Sequence, residues 1–262
     1  MTKKKNVVVF DMDETLGDFS QPYIFWNSLN KFLNIKTLDD KYFFSFIDLF
    51  PAFFRTNIFN ILKYVKKKKI DGYCDYVMIY TNNNGPNYWA DIIISYIHNK
   101  LNYKLFDRII RSYKINGKIV EKNRTTYEKS YSDFLHVTEL QSNTLVCFID
   151  DQNHPYMKHD NVLYIKIQPY TYNIGYSEII SKYFKKNAEL FKEFNKTKND
   201  FINYMKILSE YNVKYLDKTK LEKNIDVLIS NNIKNNIKKF INENSKYTRK
   251  YTKQIKNKTI KR

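Results

Sequence analysis

The sequence predicts an α/β protein organised around a mostly parallel sheet. Short apolar runs at Val7 to Phe10, Tyr76 to Tyr80 and Leu145 to Ile149 each end in polar or acidic residues, and the stretches between them carry apolar residues at helical spacing. Continuous apolar runs of this length, the first of them mostly β-branched, suit strands buried on both faces. Open sheets of this kind bind ligands beyond the carboxyl ends of their strands, so the residues that follow each run are the candidates for chemistry.

The first run continues as VVVFDMDETLG, Val7 to Gly17. Asp11 and Asp13, two apart, project into the crevice with Met12 turned away. Asp11 suits a nucleophile and a hard-metal ligand. Asp13 can offer its backbone carbonyl to the metal and its side chain to proton transfer.

Ser20 followed by Pro22 marks a helix start, and Ile24, Leu29, Phe32 and Leu33 keep helical spacing. Residues 41 to 54, KYFFSFIDLFPAFF, concentrate phenylalanine in one short segment. A further helix from about Thr56 ends in Lys66 to Lys69 and Asp71-Gly72, with cations at its negative end and glycine in the stop position. Residues 18 to 72 are therefore expected to form a small, mostly helical insert whose aromatics supply its own core.

The second run, YVMIY, leads into Thr81, Asn82, Asn83, Asn84, Gly85 and Pro86, then a helix from near Asn87 with Trp89, Ile92, Ile93, Tyr96, Ile97 and Leu101 on one stripe. Thr81 at a strand end and the amides after it are placed to donate to phosphate oxygens, with Asn82 beside them as a substrate-binding candidate. Asn116-Gly117 predicts a two-residue hairpin turn between Lys114 and Ile119. A helix is expected from about Lys129. The third run, LVCFI, ends at the paired acids Asp150 and Asp151, whose oxygens with those of Asp11 and Asp13 suit octahedral Mg²⁺. His154 is expected to be a loop histidine bonded by backbone.

DMDETLG resembles the first motif, DxDx[TV], of the haloacid dehalogenase-like (HAD) hydrolase superfamily, and its wording resembles the small C-terminal-domain phosphatase group, also called NLI-interacting-factor-like. The strand ending in Thr81 resembles the second motif, and FDRIIRSY, Phe106 to Tyr113, resembles that group's arginine-containing stretch. Lys129 in EKSYSDFL best matches the third-motif lysine, with Lys118, Lys122 and Arg124 as competitors; Asp150-Asp151 resembles the fourth motif. The chain departs from the small phosphatase group in having Asp151 where that group has Asn, in the inserted Asn153-His154, and in lacking a tryptophan motif after the last strand.

The resemblance spans about Val7 to Ile167. It implies a HAD-like three-layer α/β sandwich and a Mg²⁺-dependent phosphomonoesterase that works through an aspartyl phosphate. In that reading Asp11 is the nucleophile and Asp13 the acid and base, Thr81 and Lys129 stabilise the phosphoryl group, and Asp11, Asp13, Asp150 and Asp151 hold the metal. The implied substrate is phosphoserine or phosphothreonine in a protein. A nucleotide or other small phosphate ester, a nucleic-acid end, and a non-catalytic binding role are the alternatives.

Of the 45 Lys and Arg, 22 lie beyond residue 180 with only 8 of the 27 acids, so most of the net charge of +18 belongs to residues 181 to 262. That region reads as a basic helical extension to a phosphatase domain of residues 1 to 180, its pattern decaying into an expected disordered end beyond about Glu243. Such charge attracts polyanions, nucleic acid included, although the Lys, Asn and Ile bias is also what an AT-rich genome imposes. Two cysteines without metal-ligand spacing argue for a reducing compartment. With no apolar run near a membrane span and no signal-peptide core, the expectation is a soluble protein of the cytoplasm or nucleus, neither secreted nor membrane-bound.

Overall fold

The structure, a computed structural model, describes residues 4–206, 208 and 217–259, with side chains as far as residue 244. Five parallel strands form one sheet in the order β3-β2-β1-β6-β7: β1 (Asn6–Phe10), β2 (Tyr76–Tyr80), β3 (Arg108–Ile110), β6 (Leu145–Asp150) and β7 (Val162–Lys166). A separate hairpin, β4 (Lys114–Ile115) with β5 (Lys118–Ile119), is antiparallel. Its turn holds Asn116 at φ 49° and Gly117 at φ 77°, the left-handed pair that a tight hairpin needs.

Successive residues of β1 point to opposite faces of the sheet. Val8 and Phe10 join one apolar cluster, and Val7 and Val9 join another. The second cluster is closed by α5 (Tyr131–Thr138) through Tyr131, Phe134 and Val137. The first takes in α3 (Ile58–Ile70), α4 (Asn87–Leu101) and α9 (Lys220–Thr259). The result is a three-layer α/β sandwich. Residues Ile233, Ile237, Phe240 and Ile241 of α9 are buried, and the helix packs against β1, β6 and β7. The C-terminal helix thus contributes to the apolar layer on one face of the sheet. The end expected to be disordered beyond about Glu243 instead continues as the α9 backbone to Thr259, with side chains beyond residue 244 outside the described residues.

Between β1 and β2 stand α1 (Ser20–Phe32), α2 (Asp40–Leu49), a 3₁₀ turn at Pro51–Phe53 and α3. Ser20 is the first helical residue rather than the cap; its N–H donates to Asp18 Oδ1 at 3.2 Å. The phenylalanine-rich stretch is itself a helix, α2, whose Phe43 and Phe46 are buried and whose Asp39 accepts from the Lys41 N–H at the start. Phe25 stacks on Phe46, Trp26 meets Phe43 edge-on, and Phe43 meets Trp89 of α4. Aromatic area therefore fastens the insert to the sandwich. Helices α6 (Tyr176–Lys186), α7 (Ala188–Glu193) and α8 (Lys198–Met205) pack on the same side, with Tyr183 edge-on to Phe25. No helix among the described residues is long and apolar enough to cross a membrane.

Candidate active site

Strand order reverses at β1, which lies between β2 and the much later β6. The carboxyl ends of β1 and β6 therefore flank the crevice where such sheets bind ligands. The Asp11 N–H donates to the Ile149 carbonyl at 2.9 Å, which sets Asp11 beside Asp150, the last residue of β6. Carboxylate oxygens of Asp11, Asp150 and Asp151 lie within 4.8 Å of one another, and all three residues are buried. Lys129 closes this group. Its Nζ donates to Asp11 Oδ1 at 2.5 Å and to Asp150 Oδ2 at 2.7 Å.

Lys129 reaches this point from just outside α5 rather than from within it. Ser130 is the cap of that helix, accepting from the Asp133 N–H, and the Asp133 carboxylate in turn accepts from the Thr125 N–H and hydroxyl. This fixes the turn from which Lys129 extends. The ammonium also lies 5.7 Å from the Tyr80 ring centre and 5.8 Å from that of Phe148, so aromatic faces wall it from water.

Three buried carboxylates face one buried cation. Burial, reinforced by the Asp150 charge and opposed by Lys129, pushes Asp11 up to about 8. Asp151 is also raised, by burial and then by Asp150. Asp150 goes the other way. Burial would raise it, but His154 and Lys129 together hold it below the usual range. Burial would lower Lys129, but Asp11 and Asp150 outweigh it and keep the amine cationic. The cluster is thus short of positive charge, and its donors are all hard oxygens. That combination fits a divalent cation such as Mg²⁺.

The loop after Asp11 is tightly determined. Glu14 adopts φ 56°, its N–H donates to the Gly17 carbonyl at 2.7 Å, and the Leu16 N–H donates to the Met12 carbonyl at 2.9 Å. Gly17 passes so close to the Phe53 carbonyl that a Cβ there would sit 2.3 Å from that oxygen. The Thr15 hydroxyl donates to Asp151 Oδ1 at 3.1 Å and so links the loop after β1 to the loop after β6. Asp13 stands apart from the three-carboxylate cluster. Its Oδ2 accepts from Asn83 Nδ2 at 2.8 Å, and burial raises its pKa although the Asn83 bond lowers it.

Thr81 is buried at the end of β2, where its hydroxyl oxygen accepts from the Asn83 N–H at 3.0 Å. The Asn82 amide turns to the Tyr127 carbonyl at 2.9 Å, and its Oδ1 is buried without a protein partner. Asn83 is the asparagine that reaches Asp13. Among the competing cations, Lys118 and Lys122 are exposed, and Arg124 is buried with its guanidinium on the carbonyls of Arg111 and Tyr127. The His154 ring is not bonded by backbone: Nε2 stands 3.4 Å from Asp150 Oδ2, four residues back along the chain. The sequence offered no signal for the contact from Asn83 to Asp13, which depends on how distant segments meet, whereas Thr15 stands at the last position of the DxDx[TV] resemblance.

The parallel sheet and the buried aspartate cluster are consistent with the broader HAD-like hydrolase superfamily. No protein-family model, no curated protein and no solved structure matches the chain.

Proposed function

We propose that the chain is a Mg²⁺-dependent phosphomonoesterase that works through an aspartyl phosphate on Asp11. The observation that carries this reading is Lys129 bridging Asp11 and Asp150 inside the buried Asp11, Asp150 and Asp151 cluster. Asp11 attacks phosphorus as the bond to the leaving oxygen breaks, and protonated Asp13 gives that oxygen its proton. Asp13, now a carboxylate, takes a proton from water as the water oxygen attacks the same phosphorus; the bond to Asp11 breaks and inorganic phosphate leaves. A pKa raised by burial favours the protonated form of Asp13 before the first step. Lys129 neutralises charge on the nucleophile and phosphoryl oxygens, and the Thr81 hydroxyl is free to donate to one of them.

Asp11, Asp150 and Asp151 would hold Mg²⁺, joined through the resemblance by the Asp13 backbone carbonyl, and the ion would supply charge neutralisation to the phosphoryl oxygens. The likeness of DMDETLG and FDRIIRSY to the small C-terminal-domain phosphatases favours phosphoserine or phosphothreonine in a protein over a nucleotide. Assay of an aryl phosphate with and without Mg²⁺ tests the chemistry, and phosphopeptides against nucleoside monophosphates test the substrate class. Wild-type turnover that needs the metal and vanishes in Asp11→Asn is expected. Undiminished turnover in Asp11→Asn or in excess chelator would overturn the mechanism.

A further inference from the structure

Arg55 is 1 % exposed, among the most completely buried charged side chains of the described residues. It sits between the 3₁₀ turn at Pro51–Phe53 and α3, where the insert returns to the sandwich. Three successive carbonyls of the loop after the nucleophile accept from this one residue. Glu14 O accepts from Nη2 at 2.6 Å, Thr15 O from Nε at 2.7 Å and Leu16 O from the Arg55 backbone N–H at 2.9 Å. Nη2 also donates to the Gln168 carbonyl at 2.8 Å, just beyond β7. The guanidinium carbon lies 5.3 Å from the Tyr170 ring centre, and Tyr170 itself donates its N–H to Glu14 O at 2.8 Å. Burial lowers the guanidinium pKa to about 10, so the group is cationic at neutral pH.

A planar fork on carbonyls fixes orientation as well as distance, which a lysine ammonium does not. The orientation matters because of what these peptides carry. Thr15, whose carbonyl Arg55 holds, donates its hydroxyl to Asp151 Oδ1. Glu14 is held in the left-handed region, which costs a non-glycine residue conformational energy and persists only where the surroundings enforce it. Arg55 and Tyr170 supply that enforcement at its carbonyl.

We infer that Arg55 is a positioning residue of the active site: it locks the loop from Glu14 to Leu16 so that Thr15 orients Asp151 toward the metal that Asp11, Asp150 and Asp151 would share. This rests on the phosphatase reading for its catalytic consequence, whereas its effect on the loop and on metal affinity does not need turnover. Loss of an outer partner of a metal ligand typically weakens metal affinity or activity about 10- to 100-fold.

The test compares wild type with Arg55→Lys, which keeps the charge and loses the fork, and with Arg55→Met, which keeps only the bulk. Three readouts are taken: Mg²⁺ affinity by calorimetric titration, amide exchange of residues 12–17 against β1 and β6 in the same molecule, and the separate kcat and KM for an aryl phosphate. Arg55→Lys should fold, weaken Mg²⁺ by about tenfold or more, speed exchange selectively in residues 12–17, and lower kcat more than KM. Should Arg55→Met not fold, Arg55→Lys carries the comparison alone. Unchanged Mg²⁺ affinity and loop exchange in Arg55→Lys would overturn the inference, as would exchange that rises equally in β1 and β6, which marks a merely structural role. If wild type binds Mg²⁺ and hydrolyses nothing, the phosphatase reading fails while the binding and exchange results still decide the role of Arg55.

Discussion

Lys129 Nζ lies 2.5 Å from Asp11 Oδ1, although 118 residues separate them in the chain. Both groups are buried, so the pair and its neighbour Asp150 set the charge state of the whole crevice. In a low-dielectric site one such cation counts for far more than an exposed lysine.

Replacing Lys129 by Ala should therefore lower turnover by about 10²- to 10³-fold, the scale of one lost oxyanion donor. Lys118→Ala and Lys122→Ala, both at exposed positions, should stay near wild type. Steady-state kinetics of the three variants decide it, and an equal loss in either exposed variant would reassign the phosphate-facing cation.

Asn83→Ala should release Asp13. Burial raises the Asp13 pKa and the Asn83 bond lowers it, so removing the bond moves the pKa further up. The limb of the kcat–pH profile that reports Asp13 should shift to higher pH, with kcat reduced about 10- to 100-fold from lost orientation of the acid. A profile of unchanged shape would show that Asp13 is not the group being titrated.

Folded Asp11, pushed up to about 8, holds a proton that an unfolded aspartate near 3.8 has already released. The folded state thus binds more protons between those values, and stability of the metal-free protein should fall as pH rises through that window. Mg²⁺ favours the ionised carboxylate and should expel the proton. Calorimetric titration near pH 7 in two buffers of different ionisation enthalpy should show net proton release, and a buffer-independent heat would contradict the assigned shift.

Ile237 of α9 is fully buried in the same cluster as Val8 and Phe10. Ile237→Ala should cost about 2–5 kcal/mol, the range for an emptied core site of this size. Unfolding followed by urea should remain a single transition in which aryl-phosphate turnover and helical signal disappear together. Separate transitions would mean that α9 is an appendage to an independently stable sheet.

Much of the fold was legible because its signals are local. Buried parallel strands need unbroken apolar runs, which exposed β1, β2 and β6, and Asn116-Gly117 announced the hairpin. The edge strand β3, only Arg108–Ile110, is too short and mixed to stand out. The phenylalanine-rich α2 hid its helical period because aromatics stand at half-buried Tyr42 and Phe44 as well as at buried Phe43 and Phe46.

By itself the sequence determined the parallel α/β plan and the placement of Asp11, Asp13, Thr81, Asp150 and Asp151 at strand ends, while the expectation of a phosphate-directed cation came through the resemblance. The resemblance favoured Lys129, but only tertiary structure put it in the crevice ahead of Lys118, Lys122 and Arg124, because what separates them is where the chain carries each cation. Tertiary structure also turned Asn82, expected beside the substrate, onto the Tyr127 carbonyl, set Asn83 on Asp13, and brought Arg55 beneath the loop from Glu14 to Leu16. Periodicity and turn chemistry act over a few residues, whereas these contacts join segments 40 or more residues apart whose side-chain directions exist only once the layers have packed.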